Sequence, residues 1–266
     1  MISRSDIKFI RSLRIKKFRD INHQFVIEGD KLVAEFLNSS WTVSHLLGKD
    51  EWLNGLSENL KTKPERITEV TDQELKKLSL LRTPHNVMAT VRIPSAPIDW
   101  EELTCGLSIF LHDIQDPGNL GSIIRSAGWF GIGQIICTPS TVDVYNSKVV
   151  QASMGSLLNV NVHYCNPEEF FNTYSRTGLQ VYGTCLEGKN IYDCDLDNAG
   201  VIIMGNESRG LSDQYSPFVT RKITIPGFES HDHPVESLNV AVAAAIVCSE
   251  FRRRAYPPKP ISTGNG

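Results

Sequence analysis

The stretch 107–137 constrains the fold more than any other part of the chain. It opens on a short apolar run, Leu107, Ser108, Ile109, Phe110 and Leu111, bounded by polar residues, which reads as a buried strand. Asp116, Pro117, Gly118 and Asn119 then supply a turn. Proline sets φ, glycine permits unusual backbone, and the asparagine side chain accepts from the first free amides of a following helix. In that helix Leu120, Ile123, Ile124 and Ala127 fall at i, i+3, i+4 and i+7, a single apolar stripe. Gly128, Gly131 and Gly133 end it before a second apolar run, residues 134–137. The unit is strand, turn, helix, strand.

Arg125 and Trp129 do not fit a packing role in that unit. At about 100° per residue they share the face opposite the stripe, one helical turn apart. They form either a cation–π pair on a solvated face or part of a site.

The unit is followed by more of the same alternation. Residues 142–164 read as a helix around 146–155 and a strand from Leu158, with Ala152, Ser153, Gly155 and Ser156 small enough for close packing. LQVYGTCLEG and VIIMGNESRG then give strands ending near Gly183-Thr184 and Gly205. Alternation of this kind predicts a parallel sheet whose ligands bind beyond the carboxyl ends of its strands. Gly183-Thr184, Gly205 and Pro226-Gly227 fall at such ends.

The front of the chain has a different pattern. Residues 1–19 read as one helix with Ile7, Ile10 and Leu13 on one side, and carry seven basic residues against one acid, Asp6. From Gln24 come a strand (FVIEG), a helix (DKLVAEFLNS), and strands at TVSHLLGK and RITEV. Thr71 to Glu74 is a capping box opening a helix through Leu80, and NVMATVRI closes the segment as a strand. This is a small α/β domain. Pro94-Ser95-Ala96-Pro97 reads as a linker, so the expected division is a domain over 1–95, a second over 103–256, and a frayed Pro/Gly/Ser-rich tail over 257–266.

The net charge of −3 hides an asymmetry. Residues 1–97 hold 16 Lys+Arg against 12 Asp+Glu, whereas 98–266 hold 11 against 18. Arg14, Lys16, Lys17 and Arg19, in SLRIKKFR, repel one another unless something neutralises them, so their helix either packs on its own domain with the lysines solvated or lies against phosphate. No run approaches the roughly 20 apolar residues of a membrane helix and no signal peptide opens the chain, so a cytoplasmic protein is expected. The six cysteines show no metal spacing and are expected reduced and mostly buried; no metal is expected.

DPGNLGSIIRSA resembles the first signature of the SpoU/TrmH family of S-adenosylmethionine-dependent RNA ribose methyltransferases, in the SPOUT superfamily. MGNESRGLS (204–212), and ITIPG with SLNVAVAAA (223–245), match its two further motifs in order and at fitting separations. The front third is similar to the ribosomal-protein-like substrate-binding domain of rRNA-directed members, with Glu28-Gly29 matching its EG after the first strand.

The resemblance implies a C-terminal parallel-sheet SPOUT domain tied in a trefoil knot, a homodimer, and backbone groups around Thr184, Gly205, Ile225 and Leu238 holding S-adenosylmethionine. It also implies a catalytic set of Arg125, Asn119, Glu207, Ser237 and Asn239, with Arg125 touching RNA. A guanidinium stays protonated at working pH, so the chemistry favours Arg125 as a phosphate grip and alkoxide stabiliser over a base. Asn119 serves equally as helix N-cap, Glu207 as a loop acid pairing Arg209, and Ser237 and Asn239 as caps of an apolar helix starting at Ser237. The loop GFESHDHPVE (227–236) is longer than usual in the family, and its His231 and His233 lack further ligands for a metal.

Ribosomal RNA is expected in preference to tRNA, because shorter tRNA-directed relatives often lack such a front domain. A catalytically silent RNA-binding or assembly factor is the alternative in another class. A dinucleotide-binding oxidoreductase is disfavoured, since GxGxxG is absent between strand and helix.

Overall fold

The computed structural model describes residues 2–95, 97–206, 210–228 and 237–254. By their contacts they group into two compact units that interleave along the chain. One comprises 1–97, 115–125 and 142–161; the other comprises 98–114, 126–141 and the described residues from 162 onward.

The first unit is built on a four-stranded sheet. Its strands are β1 (Gln24–Glu28), β2 (Val43–Gly48), β3 (Ile67–Glu69) and β4 (Val87–Arg92), in the order β1-β4-β2-β3. β4 runs antiparallel to β1 and β2, and β2 parallel to β3. Around it lie α1 (Arg4–Ser12), α2 (Lys16–Asn22), α3 (Asp30–Asn38), α4 (Asp50–Asn54), α5 (Glu58–Lys61) and α6 (Asp72–Leu78). Thr71 and Glu74 close the expected capping box on α6.

The single helix expected over 1–19 is two. Ile15 is extended, α2 restarts at Lys16, and the break turns Leu13 into the core, 2% exposed. It also presents the Leu13 carbonyl to the Arg19 guanidinium, at 2.8 Å. A continuous helix would have kept that carbonyl for its own ladder.

The second sheet takes the order β10-β8-β9-β5-β6-β7. Its elements are α7 (Trp100–Cys105), β5 (Leu107–Leu111), α8 (Pro117–Trp129), β6 (Gln134–Cys137), α9 (Ser147–Ser153), β7 (Asn161–Tyr164), α10 (Pro167–Tyr174), β8 (Val181–Asn190), β9 (Gly200–Met204), β10 (Arg221–Thr224) and α11 (Val240–Arg254). Pairings from β10 through β6 are parallel. β5 and β9 are buried at every position, as befits strands covered on both faces. Beneath them Phe110, Phe170, Phe171, Tyr174 and Tyr215 form an aromatic core.

The α8 stripe is as expected: Leu120, Ile123, Ile124 and Ala127 are each 0% exposed. Burial of each large aliphatic is worth about 1.5–3 kcal/mol. At Gly121 an added Cβ would overlap Ala152, so the small residues of α8 and α9 set their close packing. Among the described residues no helix is long and apolar enough to cross a membrane. All six cysteines are free; Cys137, Cys194 and Cys248 are buried, and Cys105 is exposed.

Candidate active site

Three segments named from the sequence converge on one edge of the parallel sheet. β10, β8 and β9 are neighbours, and Ile225, Thr184 and Gly205 stand at or just past the carboxyl ends of their paired stretches. The β8–β10 pairing jumps from Gly183↔Lys222 to Lys189↔Ile223, which leaves residues 184–188 outside that ladder. The Thr184 hydroxyl donates to the Ile203 carbonyl at 2.8 Å and so stitches the end of β8 to β9.

Past β9 the chain folds tightly back. A Cβ at Gly205 would overlap the Gly210 carbonyl, so only glycine allows this approach. The Gly210 amide donates to the Asn206 carbonyl at 2.8 Å, and Gly210 itself has φ +63°. A second set of bonds fastens this loop to the end of β5. The Asn206 side-chain amide donates to the Asp113 carbonyl at 3.0 Å, and the His112 amide to Met204 at 3.0 Å. A 2.7 Å hydrogen bond joins His112 Nδ1 to the Tyr215 hydroxyl, whose pKa burial pushes up to about 12. Asp113 is held at φ +55°, a conformation aspartate tolerates better than most residues. The end of β5, just before the first motif, is thus tied to the end of β9 and to Tyr215 through Asn206 and His112. Asn206 falls inside the second motif, but the pairing of these three side chains across about a hundred residues leaves no local signal of their role in the sequence.

At the start of α11, Asn239 Oδ1 accepts from the amides of Ala241 at 3.0 Å and Val242 at 3.3 Å. The helix begins at Val240, not at Ser237; Ser237 and Leu238 lie before it and are exposed. α11 is also less uniformly buried than its composition suggests: Val240, Ala244, Val247 and Phe251 face the core while Val242 is 49% exposed.

The helix α8 starts earlier than expected. Asp116, not Asn119, provides its cap: Asp116 Oδ1 accepts from the Asn119 amide at 2.8 Å, and Pro117 takes the first helical position. Proline is preorganised there and has no amide to lose, so an Asp-Pro pair outcompetes an asparagine two residues later. Asn119 is consequently a half-buried residue of the first turn. Arg125 is exposed, as is Trp129 at 83%.

The four basic residues of the front stretch have different environments. Lys16 and Lys17 are exposed, Lys16 pairing with Asp20 at 2.8 Å. Arg14 is half-buried and donates to the Leu78 and Ser79 carbonyls at 2.7 and 3.2 Å. Arg19 is 3% exposed and ion-paired with Asp143. Its donors are spent inside the fold, so it is unsuited to the phosphate contact expected of it. Glu207, Arg209, His231 and His233 lie outside the described residues. Among those described, no group of three His, Cys, Asp or Glu side chains is arranged as metal ligands.

For S-adenosylmethionine, the sheet edge offers the right kind of surface. It combines backbone at the ends of β9 and β10 and at the irregular stretch of β8, a close approach at Gly205 that a side chain would obstruct, and exposed apolar groups, Leu186 at 77%, Phe228 at 99% and Leu238 at 46%. An adenosine and a sulfonium fit such a surface, which needs no charged side chain to hold a cation and a base.

Comparison with known proteins gives the family and the fold. Residues 106–249 match the SpoU rRNA Methylase family, and residues 4–89 match the MRM3-like substrate binding domain. The chain is 29% identical over 248 residues to the 23S rRNA (guanosine(2553)-2'-O)-methyltransferase RlmP of Bacillus subtilis, covering 92% of this chain and 95% of that protein. A putative RNA methyltransferase of the TrmH family from Porphyromonas gingivalis has a similar structure, with TM-score 0.85 and 37% identity over 96% of this chain and 99% of the other. The AdoMet-bound rRNA methyltransferase of Sinorhizobium meliloti gives TM-score 0.84 at 28% identity, covering 96% and 97%.

Proposed function

The chain belongs to the SpoU rRNA methylase family, and from that membership we infer that it methylates a ribose 2'-hydroxyl of ribosomal RNA, with S-adenosylmethionine as cofactor. The observation that carries this reading is the coincidence of the family match with the sheet edge, where Gly205 and Ile225 follow the ends of β9 and β10 and Thr184 stands where β8 between them leaves its pairing. The cofactor supplies an activated methyl group on a sulfonium. Backbone around Thr184, Gly205, Ile225 and Leu238 would hold it, and the apolar side chains nearby would favour the loss of its positive charge.

As the ribose oxygen takes the methyl group, the S–C bond would break to leave a neutral thioether and the hydroxyl proton would pass to water. Arg125, exposed and permanently charged, stabilises the developing alkoxide and grips an adjoining phosphate. Asn119, relieved of capping by Asp116, orients the ribose. Glu207 and Ser237 complete the set, and Asn239 holds the segment before α11 in place through its bonds to that helix. The domain over 1–95 binds the RNA and that over 103–256 carries the chemistry, with the trefoil knot of the superfamily. Exposed Trp129 and Val242 suit a homodimer, and an rRNA substrate suits a cytoplasmic place of action.

Labelled methyl transfer onto separated rRNA and tRNA, followed by ribose-methylation mapping, tests this. The expected product is a 2'-O-methyl group on rRNA, and Arg125→Ala lowers kcat by roughly 10²–10³-fold. Label on a base or on protein would sink the ribose assignment, and full activity in the variant would remove Arg125 from the site.

A further inference from the structure

A cavity of about 380 Å³ opens in the first compact unit, away from the sheet edge in sequence and unused by the chemistry above. Its volume lies in the range of about 300–1,000 Å³ typical of small-ligand sites. The walls are aliphatic, among them buried Leu13, Met88 and Val150 and exposed Leu80, with the Tyr145 ring alongside. Charged groups enter at Glu28, Arg14 and Lys148.

The Glu28 carboxylate is fixed. The Ser79 hydroxyl donates to it, 2.7 Å from Oε1 and 2.9 Å from Oε2, and the His85 amide approaches Oε1 at 3.3 Å. Arg14 is anchored on the same turn through the Leu78 and Ser79 carbonyls. Both groups are therefore preorganised, and Oε2 keeps acceptor capacity that the fold does not consume.

We propose that this cavity binds a guanine base, presented by a single-stranded nucleotide of the RNA substrate. Three features of the cavity select that ligand. Aliphatic walls and a tyrosine suit the faces of a planar ring that has left its stack. A carboxylate, which only accepts, wants contiguous donors; guanine offers N1–H and the 2-amino group side by side, whereas the donors of uracil, cytosine and adenine adjoin ring acceptors that a carboxylate repels. Arg14 and Lys148 supply positive charge for flanking phosphates. An acyl chain would leave Glu28 facing methylenes, which is costly, and a cationic ligand would meet two like charges. The RNA origin of the guanine rests on the rRNA reading above; the recognition of guanine does not.

Saturation-transfer NMR on the full chain with GMP, AMP, CMP and UMP tests the pocket. GMP is expected to bind about tenfold more tightly than the others. Glu28→Gln should abolish that preference, and Leu81→Trp, which fills the space, should abolish binding. Should Leu81→Trp fail to fold, as melting would reveal, the conservative Glu28→Gln still decides. Equal binding of all four nucleotides, or GMP binding unmoved by Glu28→Gln, overturns the proposal. GMP is further expected to raise the KM for rRNA in the methyl-transfer assay without lowering kcat. GMP binding without that competition overturns the RNA origin and leaves free guanine nucleotide as the ligand. Methyl transfer to rRNA by a protein that ignores GMP overturns the pocket but not the activity. Guanine-selective binding by a protein inert on every RNA supports the pocket and overturns the activity.

Discussion

The chain has two basic stretches, SLRIKKFR at 12–19 and the end of α11 at 252–254, and the fold uses them differently. At the end of α11 every arginine is engaged. Arg252 donates to the Phe130 and Gly131 carbonyls at 2.6 and 2.8 Å, Arg253 pairs with Glu250, and Arg254 reaches both Glu250 and the Tyr192 carbonyl. Positive charge also suits the carboxyl end of a helix. In the front stretch the work is divided: Arg14 and Arg19 are tied into the fold while Lys16 and Lys17 face solvent. Rows of basic residues therefore say little about nucleic acid until their carbonyl and carboxylate partners are known. Arginine, with its rigid fork of donors, is the residue that folds take for themselves.

Breaking the front stretch at Arg19 has the largest expected effect. Its Nε and Nη2 meet Asp143 and its Nη1 meets the Leu13 carbonyl, with almost no solvent access. Arg19→Ala leaves Asp143 without its partner and should cost about 3–5 kcal/mol. Urea unfolding followed by circular dichroism measures it. Arg19→Lys should recover only part, because an ammonium cannot span both acceptors. A midpoint within error of wild type would mean that the ion pair does not hold the helix break in place.

The matching change at the other end is Glu250→Gln, with an expected loss of about 1–2 kcal/mol at neutral pH. Arg253 first, and then Arg254, hold the Glu250 carboxyl below the usual glutamate range. A carboxyl depressed in the folded state stabilises fully above its unfolded pKa and loses that contribution as pH falls through the folded value. The wild-type advantage should accordingly be flat from pH 6 to 8, and shrink below about pH 4.5. An advantage that grows on acidification contradicts the assignment. Because Arg253 is largely solvent-exposed, the lower end of the range is the better expectation.

These two sites also mark what local sequence reveals. Periodicity located most strands and the α8 stripe, and capping chemistry located α6, because each depends on residues within one or two turns of each other; but β7 starts at Asn161 instead of Leu158, and β8 runs on to Asn190, past the expected end at Gly183-Thr184. Arg19, which bonds the Leu13 carbonyl at the break between α1 and α2, takes its partner Asp143 from 124 positions away, and no local rule reports that pairing. The cap of α8 was a contest between two residues that both cap well; Pro117 decided it. At the sheet edge the positions of Gly205 and Ile225 follow from strand ends and that of Thr184 from the point where β8 stops pairing with β9, whereas the ties of Asn206 to Asp113 and Tyr215 to His112 are tertiary. Glycine at 205 was legible as part of a motif, but its reason, the approach of Gly210, appears only in three dimensions.

The smallest effect on stability, and the sharpest test of the comparison, comes from the two lysines. Lys16 and Lys17 are solvent-exposed, and the Lys16–Asp20 pair on α2 is exposed on both sides. Such pairs contribute about 0–1 kcal/mol, so replacing both lysines by alanine should change the unfolding free energy by less than about 1 kcal/mol. Binding to RNA should respond differently. If the front stretch meets phosphate, each lysine releases counterions on binding, and the slope of log K against log salt should fall by about 0.7–0.9 for each lysine removed. Ile15, just before this helix, is 56% exposed and Phe18, on it, 37%, beside these lysines, so apolar contact with unstacked bases accompanies the charge. Fluorescence anisotropy with a labelled rRNA fragment across a salt series separates the two contributions: the lysine variant should lose slope, and Phe18→Ala should lose affinity at every salt concentration with slope retained. A lysine variant with wild-type slope would put the front stretch in the same class as the end of α11, basic for the sake of the fold.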